Sequence, residues 1–268
     1  MSLTSFLKNK DVQEKFKVEF DIPIFELNGE LKASPLTKNY SLMGTAFDYI
    51  MRFYLKRENP MSVTKDWVAE NAIEFIQDKK LKKKAQLIIK EAKVNYKKYL
   101  KNGNMTDEII RTCICLAQLD PIYRASYIDE EMGEVSELDI QDMKNCFALI
   151  KLPQFRAKKI CLLNPTFGKA SGLVGGADTD LVIDDTLIDI KTTKFLILNR
   201  DHFNQIIGYY FLYLIGCLDG APKEHKINNI GIYFSRYGLL YIFPVEKVIL
   251  KEKVRPFIKW LKNRAKRN

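Results

Sequence analysis

The stretch from Gly175 to Lys191 reads GGADTDLVIDDTLIDIK and holds Asp178, Asp180, Asp189 and Lys191. Two runs of β-branched and aliphatic residues flank Asp184-Asp185, a pair suited to a two-residue hairpin turn. With the turn there, Asp178 faces Lys191 and Asp180 faces Asp189. Opposed residues share a sheet face, as do residues two apart along a strand, so all four side chains converge. A loop one residue longer would turn the set to the other face.

Like charges side by side destabilise a sheet, so this patch is poor core material. It suits a divalent cation: Mg²⁺ takes one or two carboxylates and keeps several waters. Such an ion relieves the repulsion, acidifies a water and stabilises charge on a phosphate. A lysine beside that water can orient it or help deprotonate it. The plain alternative is a surface hairpin with solvated charges. The next segment, FNQIIGYY, weakens that alternative, because it sets Gln205 and Tyr209 on one helix face at i and i+4. An apolar helix has little other use for Gln205, whereas Tyr209 alone would pass for a core aromatic.

The ordered set GGAD, DIKTTK and QIIGYY resembles the active-site pattern of the PD-(D/E)XK nuclease superfamily. Its RecB-like branch, which includes lambda-type and CRISPR-associated exonucleases, is the more specific likeness. The resemblance implies a restriction-endonuclease-like core and hydrolysis of DNA phosphodiesters with Mg²⁺ or Mn²⁺. By the same likeness Asp178 and Asp189 hold the metal, with the Ile190 carbonyl as a third ligand. Lys191 positions or activates the attacking water, and Gln205 and Tyr209 hold the scissile phosphate or the lysine. The family's upstream G-x-x-x-H helix corresponds to Gly44–Asp48, with Asp48 where histidine is usual; an aspartate can ligate the same metal. Relatives with an iron–sulfur cluster carry cysteines near the C-terminus. This chain has none after Cys217, so no cluster is expected.

Elements must position these residues. Leu42, Ala46, Phe47, Ile50, Phe53 and Tyr54 fall at helical spacing. Residues 64–103 read as one long helix or two, with Thr64 and Asp66 as start signals and Gly103 as the stop. Two more helices follow, stopped by Pro121 and Pro153. The second half changes period: a strand over KKICLLNPTF, then GLVGGADTDLVI and TLIDIKTT. An apolar helix opened by Asp201 comes next, then a hairpin over residues 226–245 and a basic C-terminal helix. This order predicts an α/β (α+β mixed) fold: one domain over residues 1–268, a central mixed sheet flanked by helices, and a helical insertion at 55–155.

Composition narrows the partners. The net charge is +10, and residues 79–101 and 247–268 together carry +17, leaving about −7 for the rest. Two concentrated basic segments point to a polyanion, with DNA first and RNA second. The helical insertion could instead dock a protein partner. No run of eighteen apolar residues is present, so no membrane partner is expected. Five scattered cysteines suit a reducing, cytoplasmic setting. Two histidines are too few for a histidine-rich zinc site, and the chain has no phosphate-binding glycine loop of the Walker type. The function expected is therefore a metal-dependent deoxyribonuclease, a RecB-like exonuclease of repair, recombination or defence. The rivals are a non-catalytic binding platform on the same fold and a site-specific endonuclease.

Overall fold

A computed structural model describes residues 2–23, 27–64, 66–125 and 127–267. Among them, six strands form one mixed sheet in the order β1-β2-β3-β4-β5-β6. The strands are β1 (Val63–Thr64), β2 (Cys161–Leu163), β3 (Leu181–Ile183), β4 (Thr186–Lys191), β5 (Asn229–Phe234) and β6 (Leu239–Pro244). The β1/β2 and β4/β5 pairs are parallel and the others antiparallel.

Both faces of the sheet are covered. On one side lie α3 (Tyr40–Glu58), α4 (Val68–Ala72), α5 (Lys79–Asn102), α6 (Asp107–Ala125) and α7 (Glu137–Phe147). Their apolar faces pack with Leu163, Leu181, Ile183, Ile188 and Tyr233 in one core. On the other side lie α1 (Leu3–Leu7), α2 (Lys10–Glu19), α8 (Lys169–Leu173), α9 (Arg200–Gly216) and α10 (Lys251–Ala265). They pack with Leu162, Val182, Leu187, Ile230 and Ile232 in a second core. Residues two apart on a strand thus feed one core and their neighbours the other. The 55–155 region is no appendage: its helices supply much of one layer, and its short β1 joins the sheet edge.

Several local expectations shift. The β3/β4 register is the one expected, Ile183 facing Thr186 and Leu181 facing Ile188, with Asp184 at φ 50° in the turn. The strand before it is shorter than expected. Gly175 (φ 80°) and Gly176 (φ 126°) turn the chain, and Asp178 bridges Thr166 rather than facing Lys191. Thr64 lies in β1 and opens no helix, and α4 begins two residues after Asp66. Asp78 caps α5, its side chain accepting from the Leu81 N–H at 2.8 Å, and Gly103 closes it at φ 79°. Asn199, not Asp201, caps α9, accepting from the His202 N–H at 2.9 Å. Pro121 does not stop α6, which runs on to Ala125. Proline removes one donor there, but α6 is packed against α3, α4, α5 and α7, and that burial outweighs a single lost bond.

Candidate active site

β4 and β5 are parallel and α9 connects them, so the carboxyl end of β4 opens toward the first turns of α9. Ligands of open α/β sheets bind at such strand ends. A cleft of about 480 Å³ lies there. Asp48, Asp178, Asp189, Ile190, Lys191, Gln205 and Tyr209, all the expected site residues, line it together with Asp180 and Gly44. They come from α3, the segment before β3, β4 itself and α9, so both helical layers reach the site. A Cβ on Gly44 would meet nothing within 4 Å; its contribution is open space at the cleft.

An ion pair and two hydrogen bonds form a chain across the floor. Lys191 Nζ stands 2.7 Å from Asp189 Oδ2 and donates to Gln205 Oε1 at 2.8 Å. Gln205 Nε2 donates in turn to Tyr209 Oη at 2.9 Å. The amide orientation of Gln205 follows from its partners: its carbonyl end must face the ammonium. Asp189 is 1% exposed. Burial and the charges of Asp189, Asp180 and Asp178 push the Tyr209 hydroxyl well above its usual range, so it stays protonated.

The other acids are each engaged by a protein donor. Asn164 Nδ2 donates to Asp178 Oδ2 at 2.7 Å. The Ile190 N–H donates to Asp180 Oδ2 at 2.6 Å, one residue before β3 begins. Arg52, one turn along α3, pairs with Asp48 Oδ2 at 2.6 Å. Burial first, then the charges of Asp189 and Asp48, hold the Asp180 carboxyl well above the usual carboxylate range, against the pull of Lys191. Arg52 is itself buried; burial opposes its charge, but Asp48, Tyr49 and Asp120 hold its pKa up. Tyr49 Oη donates to Asp120 Oδ1 at 2.7 Å and completes this layer behind Asp48.

Among the described residues no three His, Cys, Asp or Glu side chains are gathered as a ready chelate. The donor chemistry nevertheless fits a Mg²⁺-type ion, which needs only one or two carboxylates, a carbonyl and waters. Asp178 and Asp189 with Ile190 supply that set, and the raised Asp180 marks a surplus of negative charge that a cation would offset. Asp48 sits on the same cleft but is tied to Arg52.

Residues absent from the sequence expectation also line the cleft: Thr4, Tyr40, Ser41, Thr45, Asp120 and Asn164. Asn164 carries a sequence signal, a polar residue directly after an apolar strand. Thr4 carries none, since α1 is placed by burial of Leu3, Phe6 and Leu7. Neither basic helix lines the cleft: α5 and α10 lie in opposite layers. Three of the five cysteines are buried, Cys115 is partly buried and Cys217 is exposed; all are free. No described helix is long and apolar enough to cross a membrane. No family model, curated protein or solved structure matches the chain.

Proposed function

We propose that the protein is a Mg²⁺- or Mn²⁺-dependent nuclease of the PD-(D/E)XK kind that hydrolyses DNA phosphodiester bonds. One observation carries the reading: two acids, a lysine and a glutamine–tyrosine pair from separate elements meet in one cleft, joined by the Asp189–Lys191–Gln205–Tyr209 chain. A divalent ion, when bound, supplies charge to stabilise a phosphate that is becoming more negative. Asp178, Asp189 and the Ile190 carbonyl would hold it, with Asp48 available if Arg52 yields. Lys191, steadied between Asp189 and Gln205, donates a hydrogen bond to the attacking water and orients it. Tyr209, kept protonated, is a donor for a phosphate oxygen. The cations of α5 and α10 attract the backbone without reading sequence. The free thiols suit a reducing compartment such as the cytoplasm.

The second reading, a binding platform without catalysis, draws on the protein donors that already occupy the acids. Linear and circular DNA incubated with Mg²⁺, Mn²⁺ or EDTA separates the two. Metal-dependent breakdown that Asp189→Asn abolishes is the expected result. Loss of linear DNA alone assigns an exonuclease, and nicking of circles an endonuclease. Tight DNA binding with no cleavage in either metal overturns the nuclease in favour of the platform.

A further inference from the structure

The catalytic cleft does not end at the acids. Tyr40, Ser41 and Thr45 line it and also line a neighbouring cavity of about 810 Å³. That volume lies within the range of small-ligand pockets, roughly 300–1,000 Å³. Its walls are the first turn of α3, the later turns of α6 and the segment from Tyr127 to Asp139. The segment is fastened in place: Gln118 Nε2 donates to the Glu134 carbonyl at 2.7 Å, and Gln118 Oε1 accepts from the Gly133 N–H at 2.7 Å. Arg111 adds a third tie, donating to the Val135 carbonyl at 3.0 Å. The cavity is therefore built on a pinned frame.

Its lining has two chemical parts. Tyr40 and Tyr127 are 51% and 62% exposed, large aromatic faces open to a ligand. The second part is acceptor-rich, with Asp129, Glu131, Glu134 and Asp139 outweighing Lys38, the one cation among the described lining residues. Asp139 is the buried member, 5% exposed, and Asn39 holds its carboxylate with an amide at 3.3–3.4 Å. Such a wall repels a phosphate, so a strand crossing the cleft must keep its backbone outside this cavity. A neutral, flat group carrying N–H donors is accepted instead.

We propose that this cavity receives the unpaired nucleobase adjacent to the phosphate in the cleft, stacked on tyrosine and read by Asp139. The proposal rests on the nuclease reading for its strand and names the substrate class: single-stranded DNA, with cytosine, adenine or guanine preferred over thymine at that position. The first three bases carry exocyclic amines that donate to carboxylates, whereas thymine's one free donor, N3–H, is flanked by two carbonyls that a carboxylate repels. Stacking on Tyr40 contributes to every base alike, because each has a π-face.

Fluorescence anisotropy with short labelled homopolymers of deoxycytidine and thymidine, in EDTA, tests this without cleavage. The full-length protein is expected to bind the deoxycytidine strand roughly tenfold more tightly, the span of one good base contact. Asp139→Asn, which keeps the size and the contact with Asn39, is expected to erase the difference. Tyr40→Ala, at a half-exposed position, is expected to weaken both strands by at least about fivefold and leave the difference intact. Equal affinity for the two strands, a preference that survives Asp139→Asn, or no strand binding at all overturns the proposal. Repeating the assay with Mg²⁺ and reading cleavage separates the two claims. A base preference without cleavage sinks the nuclease and keeps the subsite; cleavage without a base preference does the reverse.

Discussion

Asp180 lies at the centre of the negative charge. Its carboxyl is held above the ordinary value of 3.8 by burial and by Asp189 and Asp48, so the folded protein binds that proton more tightly than the unfolded chain. The stability tied to Asp180 is complete below about pH 3.8 and is lost as pH rises through its raised folded pKa. Asp180→Asn, which keeps an acceptor for the Ile190 N–H, should raise the melting temperature at neutral pH and leave it unchanged in acid. Thermal melts across pH check this, and a gap independent of pH would falsify the charge argument. Gln205 makes a second prediction at this scale. Gln205→Ala removes the acceptor that steadies Lys191 and the donor to Tyr209. The loss should appear mainly in kcat, roughly tenfold to a hundredfold, the usual scale for a group that orients a functional side chain without touching the reacting atoms. Affinity for a strand in EDTA should barely move; an equal fall in affinity would make Gln205 a binding contact instead.

The basic helices are elements with a polar job or none. α5 buries Ala85, Ile89, Ala92 and Tyr99 and turns its lysines outward. Lys83, Lys90 and Lys97 are exposed and recur every seven residues, so they form one stripe along the helix. α10 is tied down differently: Phe257 packs edge-on against Phe16 and Phe20 and tilted against Phe211. Its Lys259 and Lys262, with Lys266 capping its C-terminal end, remain exposed. Because α5 and α10 cover opposite faces of the sheet, one DNA strand need not engage both. Reversing the α5 stripe to glutamate and, separately, the three lysines of α10 and its cap should distinguish them. The helix that binds DNA should show a salt dependence of affinity shallower by about two to three units of slope after reversal, by counterion release. If neither reversal changes the slope, the charge asymmetry has no role in DNA binding.

At the scale of the whole molecule, a buried ion pair joins α7 to the β5–β6 turn. Arg236 and Asp142 are 1% and 0% exposed and meet side by side, Nη1 to Oδ1 at 2.7 Å and Nη2 to Oδ2 at 2.9 Å. Arg236 also donates to the Ala33 carbonyl at 3.1 Å, so three distant segments meet on one guanidinium. Removing one partner strands a buried charge, which costs about 3–5 kcal/mol, whereas replacing both with apolar groups is often neutral. Asp142→Ala should therefore unfold far more easily in urea than the double variant Asp142→Leu, Arg236→Met. Equal destabilisation of the two would show that the pair contributes through shape and not through charge.

Much of this arrangement is legible along the chain. The two-residue turn at Asp184-Asp185 between two apolar runs sets the β3/β4 register, because a turn of that length leaves one pairing for the strands it joins. Helical spacing places Gln205 above Tyr209, and Gly103 ends α5 because its left-handed backbone favours glycine. Local patterns could not show that Asp178 would leave the ladder to bridge Thr166, nor that Asn199 would cap α9 in place of Asp201. Pro121 reads as a stop along the chain because a missing donor is a local fact, while the packing that carries α6 past it is not. The approach of Asp48 to β4 is also tertiary: α3 covers one sheet face and α9 the other, and only the open strand end lets both reach one cleft. The same burial brings Thr4 and Asp120 to the cleft and closes the frame of the adjoining cavity. Sequence periodicity determines which side chains share an element's face; the meeting of faces from opposite layers depends on long-range packing that no local window contains.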